Sequence, residues 1–339
     1  MDYARYIRRC LQIARNGEYY VAPNPMVGAV LVRDADERVL GEGWHQVYGG
    51  AHAEVNCLAQ VRESDLSACT LFVNLEPCSH YGKTPPCAKL LIERGVGRVV
   101  VGMQDPNARV AGRGIQMLRE AGIEVVVGVE EAACRELNKR FICLHEQQRP
   151  YVLLKWAQTA DGYIDNRVYD YQGKQIVGDK PLLISTPLTK QLVHKMRAEN
   201  MAIMVGTHTA LWDNPRLLTT RWSGRNPVRV VLDKHGELPQ DSALFSSEAE
   251  TLVFTECTDW MFVLDELAKR GIHSVLVEGG ATLHQRIIQS GVWDEIHVEV
   301  APELLCGRGT KAPSVVLPSE AVHVDGHWMY ALRNRHKQG

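Results

Sequence analysis

His52-Ala53-Glu54, followed by Pro77-Cys78 and then Cys87, are residue types at spacings that can do metal chemistry. One imidazole and two thiolates make a three-ligand N/S set, and a zinc held by three protein ligands keeps its fourth tetrahedral position for water. The ion draws the pKa of that water towards neutrality, so hydroxide is available at physiological pH. Glu54 is then not a ligand. It carries protons from the water to a ring nitrogen and on to departing ammonia, and H-x-E with P-C-x-x-C is the signature of base deaminases. The second half departs from that signature, because Cys78 and Cys87 enclose eight residues, 79–86, where two are usual.

Each piece alone has a plainer reading. A lone His-x-Glu at a helix start is commonly a cap or a surface pair, and two cysteines nine apart are often unrelated buried thiols. The setting favours the site. Thr70 to Asn74 reads as a short buried strand, Ala51 to Ala59 as a helix with His52 and Glu54 in its first turn, and Pro85-Pro86-Cys87 opens an apolar-periodic stretch to Glu93. Two helix N-termini are the wrong sign for a cation. Cysteine thiolates resolve this, since a helix N-terminus stabilises their negative charge.

At 339 residues the chain is long enough for two domains, and its 45% hydrophobic and 23% charged content is that of a soluble globular protein. With a net charge of −2 and no long Lys/Arg run, a nucleic-acid polymer is not an expected partner. The longest apolar stretches are strand-length, too short for a transmembrane helix. Met1-Asp2-Tyr3-Ala4-Arg5 lacks the apolar core of a signal peptide, and nine cysteines without regular spacing suit a reducing compartment. A cytoplasmic protein is expected. Cys10, Cys57, Cys69, Cys134, Cys143, Cys257 and Cys306 read as core or surface thiols.

The elements that must position the site alternate helix and strand. Helix is expected over Tyr3–Asn16, a strand pair at Val27–Val32 and Val39–Trp44, and strands at Val99–Gly102 and Val125–Gly128 around a helix from Gly112 to Ala121. A single charged helix is expected from Glu130 to Glu146, with a boundary near 147–150. Apolar strands with helices between them argue a sheet covered on both faces. After Pro150 the alternation resumes: strands at 151–156, 202–205, 228–232, 251–254, 274–278 and 295–301, helices at 189–198, 262–270 and 282–289. Residues Gly162–Leu183 are polar and read as a loop over a site. Nothing repeats at a fixed period, so two unrelated α/β domains are expected, at 1–147 and 148–339.

The motifs together resemble a known family. Asn24-Pro25-x-Val27-Gly28, His52-Ala53-Glu54, the run Glu76 to Cys87, Met103-Gln104-Asp105-Pro106-Asn107 and Val110 to Gly114 look like the bifunctional riboflavin-biosynthesis pyrimidine deaminase/reductases. The resemblance covers nearly the whole chain. It implies a cytidine-deaminase-like, three-layer zinc domain followed by a dihydrofolate-reductase-like, NADPH-dependent domain. The implied substrate is a diaminopyrimidinone carrying a ribosylamino 5′-phosphate, deaminated first and then reduced from ribosyl to ribityl. It further implies His52, Cys78 and Cys87 as zinc ligands, Glu54 as the catalytic acid/base, and Asn24, His45, His80 and Lys83 around pyrimidine and phosphate. A small-molecule phosphorylated substrate and a homo-oligomer are expected, with neither nucleic acid nor membrane as partner.

In the second half, Glu278-Gly279-Gly280-Ala281-Thr282 lies at a strand-to-helix turn, where backbone N–H groups can cradle a phosphate. A Gly pair at such a turn is more often tight packing, and the spaced glycines of a Rossmann fingerprint are missing. The resemblance places Arg197, Leu217, Arg221 and Glu278 at the reductase substrate. Lys155, Gln158, Leu183, Thr209, Asp213, Gly280, Ala281, Thr282 and Leu283 fall at the cofactor. Leu183 stands where the family usually has tryptophan, and an extra residue within 216–221 shifts the Leu/Arg alignment. Two other readings remain: a nucleic-acid or free-nucleoside deaminase with an appended domain, and a deaminase whose second domain only binds ligand or scaffolds the oligomer.

Overall fold

The structure is a computed structural model that describes residues 1–79, 85–108, 110–169, 175–177, 182–256 and 259–334. His80, Lys83, Cys257 and part of the 162–183 segment lie outside the described residues. The chain divides into two compact units, Met1–Gln148 and Arg149–Gly339.

The first unit begins with α1 (Tyr3–Ala14), started by the Asp2 side chain accepting from the Arg5 N–H. The antiparallel pair β1 (Gly28–Arg33) and β2 (Arg38–Trp44) follows, then α2 (Ala53–Leu58) and β3 (Cys69–Leu75). The rest is α3 (Cys87–Glu93), β4 (Arg98–Met103), α4 (Arg113–Glu120), β5 (Glu124–Val127), α5 (Glu131–Leu137) and α6 (Lys139–Gln147). The sheet order is β2-β1-β3-β4-β5, with β3, β4 and β5 parallel. Every residue of β3 is buried, and alternate side chains serve opposite layers. Leu71 and Val73 pack with Ala88, Leu91 and Leu118, whereas Phe72 packs with Tyr6, Ile7 and Cys10 of α1. The result is a three-layer unit.

Two positions differ from the sequence-based expectation for physical reasons. His52 caps α2 rather than lying within it. The expected helix over 130–146 is two helices, broken at Asn138, whose buried amide accepts from the Met26 N–H at 2.8 Å and donates to the Met26 carbonyl at 2.9 Å. That side chain serves a neighbouring loop instead of its own helix.

The second unit holds β6 (Tyr151–Thr159), the short pair β7 (Val168–Tyr169) and β8 (Gln175–Val177), α7 (Pro187–Glu199), β9 (Ala202–Gly206) and α8 (Thr207–Asp213). Next come β10 (Val228–Leu232), β11 (Thr251–Phe254), α9 (Trp260–Lys269), β12 (Ser274–Gly279), α10 (Ala281–Ser290) and β13 (Glu295–Ala301). Beyond the last expected strand stands the hairpin β14 (Val322–Val324) and β15 (His327–Arg333). The eight strands run β11-β10-β9-β12-β6-β13-β15-β14, and only the last two are antiparallel additions. β14 is three residues long, and neither it nor β15 has a buried residue, so they lie at the exposed edge of the sheet instead of in its core. α8 also goes unannounced, being two turns on a Gly206-Thr207 start that reads as loop. One face of the sheet packs Val152, Leu154 and Trp156 against α9 and α10; the other packs Leu153, Ile203 and Leu276 with Ala210 of α8 and Met196 of α7.

Candidate active sites

In the first unit, α2 sits directly on β2 because Gly41 and Gly43 carry no side chain. A Cβ on Gly43 would stand 2.3 Å from the Cys57 nitrogen. That close approach places His52, at the helix start, over the carboxyl end of β3, from which Pro77 and Cys78 continue. Its Nδ1 lies 3.5 Å from the Cys78 sulfur and 3.3 Å from that of Cys87. Cys87 opens α3, and its backbone N–H donates to the Cys78 sulfur at 3.2 Å, the dipole-to-thiolate contact a helix start provides. The closeness of the two sulfurs holds Cys78 well below its ordinary pKa and pushes Cys87 up; His52, hydrogen-bonded to Cys78, is raised.

Glu54, in the first turn of α2, is 3% exposed. Burial, and after it the charge of Cys78, pushes its carboxyl up to about 7. His45 is also buried, its ring 5.6 Å from that of His52. His45 Nδ1 faces the Ala51 carbonyl at 2.9 Å and must donate there, so Nε2 accepts from the Asn24 amide at 3.0 Å. Burial lowers the His45 pKa, in keeping with that neutral tautomer. Asn24 is carried by a loop that two buried amides hold: Asn138 on Met26, and Asn74, which accepts from the Gly28 N–H at 2.7 Å and donates to the Met26 carbonyl at 3.0 Å.

In the second unit, Arg197 at the end of α7 donates Nε and a terminal nitrogen to both oxygens of Glu278 on β12, at 2.7 and 2.6 Å, and its other nitrogen to the Leu218 carbonyl at 3.0 Å. Both side chains are largely buried, so Arg197 is not the solvated helix charge its neighbours Lys190 and Lys195 suggest. Burial, which would raise Glu278, is outweighed by Arg197, and its pKa ends lowered. Lys155 on β6 is also buried, which lowers its pKa. Gly280 caps α10, and a Cβ built there or on Gly279 would stand 3.1 or 3.3 Å from the Thr209 hydroxyl, so α8 lies over this turn.

Other expected residues are less convergent. Leu217 is 3% exposed in the core beside α7 and α8, with φ of +52°. Asp213 accepts from Arg167 at 2.6 Å, and Gln158 accepts from the Trp156 indole at 2.9 Å. Leu183 is 74% exposed. Arg221 is exposed in a bend over 221–224.

Comparison with known proteins bears on both units. Residues 150–325 match the family model described as the RibD C-terminal domain, and residues 1–103 match the cytidine and deoxycytidylate deaminase zinc-binding region. The riboflavin biosynthesis protein RibD of Actinobacillus pleuropneumoniae is 37% identical over 335 residues, covering 91% of this chain and 86% of its own. That of Escherichia coli K12 is 35% identical, covering 88% of each. The chain belongs to the RibD family. The crystal structure of a diaminohydroxyphosphoribosylaminopyrimidine deaminase/5-amino-6-(5-phosphoribosylamino)uracil reductase from Thermotoga maritima superposes with a TM-score of 0.83 at 35% identity, over 98% of each chain. A RibD of Acinetobacter baumannii gives 0.84 at 31% identity, also over 98% of each. Like its family, the chain is a bifunctional deaminase and reductase of riboflavin biosynthesis, with zinc and NADPH as its cofactors.

The donor set fits zinc. One nitrogen and two sulfurs lie within 4.8 Å of one another. Tetrahedral zinc, with bonds of about 2.0 Å to nitrogen and 2.3 Å to sulfur, puts such atoms about 3.5 Å apart, close to the two His52–sulfur separations here.

Sequence reading of this RibD chain overlooked Glu76. Its carboxylate is buried, and one oxygen accepts the N–H groups of Asp105 and Gly112 at 3.1 and 2.9 Å. The other accepts those of Gly114 and Ile115 at 2.9 and 3.3 Å. A residue in the matched run next to Pro77 thereby fixes the whole 105–115 segment. Only its position inside the motif could have flagged it. Asn74 and Asn138 left a fainter signal, a polar residue at the end of an apolar strand and another inside a helical pattern.

Proposed function

We propose that His52, Cys78 and Cys87 hold the zinc and that Glu54 is the proton carrier of the deaminase step. The observation that carries this is the convergence of one imidazole nitrogen and two sulfurs beside a buried carboxyl. When bound, zinc supplies the Lewis-acid chemistry that makes water a nucleophile at neutral pH. Glu54, buried beside these donors so that its carboxyl is pushed up from the ordinary carboxylate range, takes and returns the protons. His45, locked as the Nδ1–H tautomer, directs Asn24, and the pair lines the pyrimidine. His80 and Lys83 remain assigned to ring and phosphate, Lys83 as a point charge.

For the second step, Arg197 and Glu278 form the substrate-side pair with Leu217 and Arg221, while Lys155, Gln158, Leu183, Thr209, Asp213 and the turn 280–283 hold NADPH, which supplies the hydride. The backbone N–H groups at the start of α10 meet the cofactor's phosphates. Residues 1–147 and 148–339 are proposed as the two working domains. A net charge of −2 supports a small phosphorylated pyrimidine over a nucleic-acid polymer. Product analysis with the phosphorylated diaminopyrimidine tests this reading. Deaminated ribosyl product should accumulate without NADPH and ribityl product with it, and neither product forming would refute the assignment.

A further inference from the structure

We propose that Glu299 is a positioning residue of the reductase site, holding Lys155 as an ammonium beside Glu278 through a buried network that joins α7 to the β14–β15 hairpin. The proposal rests on reading Lys155, Arg197 and Glu278 as residues of that site. Three adjacent strands set the arrangement. β13 pairs His297 with Lys155 and Glu299 with Ala157, so Glu299 is the diagonal neighbour of Lys155 on one face of the sheet. On the other side β12 pairs Val277 with Leu154, which sets Glu278 alongside Lys155.

Glu299 is fully buried. One oxygen accepts from the Ser185 hydroxyl at 2.6 Å and lies 3.6 Å from the Lys155 ammonium; the other accepts from His327 Nδ1 at 2.7 Å. A carboxylate at this depth is costly unless it is paired and hydrogen-bonded, and both oxygens here are. The two hydrogen-bond donors come from separate elements, Ser185 on the approach to α7 and His327 on β15. Such an investment fixes the position of one acid, and the charge that acid meets is Lys155.

Lys155 in turn faces Glu278 from β12, Arg197 from α7, His284 from α10 and Glu299 from β13. Arg197 repels it, and Glu278 already gives both oxygens to Arg197. Glu299 is therefore the acid left to keep Lys155 charged against its burial.

Reductase turnover of the full chain across pH tests this, with 5-amino-6-(5-phosphoribosylamino)uracil, NADPH and the variants Glu299→Gln, Lys155→Met and the double. Glu299→Gln should lower reductase kcat about tenfold and move the alkaline limb of its pH profile to lower pH by about one pH unit. Deamination and zinc content should not change. Because Glu299 acts through Lys155, the double variant should be no slower than Lys155→Met alone. Losses that multiply, or a Glu299→Gln profile identical to wild type, overturn the proposal. A Lys155→Met enzyme that reduces at the normal rate sinks the underlying site reading instead, and the proposal with it. Should Glu299→Gln unfold the domain, Glu299→Asp keeps the charge but draws it back from the Lys155 ammonium by one methylene and must shift the limb in the same direction; an unshifted limb there overturns it equally.

Discussion

Arg197 and Glu278 satisfy each other through two parallel hydrogen bonds between the end of α7 and the end of β12, so the two residues assigned to the ribosyl substrate are also one another's counter-charge. A bidentate fork of this kind is specific in geometry as well as charge. Removing one partner of a buried pair leaves the other uncompensated, which costs about 3–5 kcal/mol.

Arg197→Ala should therefore lower the thermal stability of the second unit as well as raise the KM for the deaminated intermediate. Arg197→Lys keeps the charge, loses the fork and should fall between. The lowered Glu278 pKa gives the sign with pH: its stabilisation is present above the ordinary carboxylate pKa and lost as pH falls through the native value. Glu278→Gln should flatten that acid limb. Thermal melts across pH measure both effects, and an Arg197→Ala protein as stable as wild type contradicts the pairing.

The two zinc-site residues should separate cleanly. Cys87→Ser should lose zinc together with deamination, since a proposed ligand is gone. Glu54→Gln keeps size and should keep zinc, yet lose deamination by more than the ~10²–10⁴ typical of general acid/base loss. In both variants reduction of predeaminated substrate should survive. Metal analysis alongside the two assays decides it; full zinc in Cys87→Ser would move the ligand elsewhere.

The parts of this molecule that were legible in sequence are those carried by one residue type at one spacing. His52, Glu54, Cys78 and Cys87 announce a site without a fold, and buried strands such as β3 and β4 announce themselves by apolar runs. What stayed hidden depends on partners distant in sequence. Asn138 breaks a helix because Met26 is there to bond with it, and β15 is a strand because β13 offers it an edge. Arg197 resembles a surface charge until Glu278, 81 residues away, is seen against it. Glu299 is one of two acids in β13, and only the register across β6 gives it Lys155.

Gly114 tests the Glu76 clamp. A Cβ on it would stand 2.0 Å from the Pro77 carbonyl oxygen, a backbone atom that cannot swing aside. Gly114→Ala must push the start of α4 away from Pro77 and strain the adjoining Cys78. It should weaken zinc affinity and deamination while leaving the reductase rate intact. Glu76→Gln, which turns an amide N–H towards two backbone donors, should act in the same direction. Zinc titration with a chelator reads the loss; wild-type affinity in both variants would show that the clamp does not reach the metal.

The turn proposed to hold the cofactor gives the sharpest separation of the two activities. At Gly280 an added Cβ meets only the Thr209 hydroxyl, 3.1 Å away, so a larger residue can be accommodated by rotating one side chain. The fold should therefore tolerate Gly280→Val. Its two extra methyl groups stand at the N-terminus of α10, where close approach of backbone to phosphate requires a residue without a side chain. NADPH titration should show saturable binding to wild type and its loss in the variant, with an unchanged melting temperature. Deamination should continue, so the ribosylated aminouracil should accumulate. A second unit that is only a scaffold would show no saturable NADPH binding in either protein. Normal reduction by Gly280→Val would instead place the phosphates away from this turn.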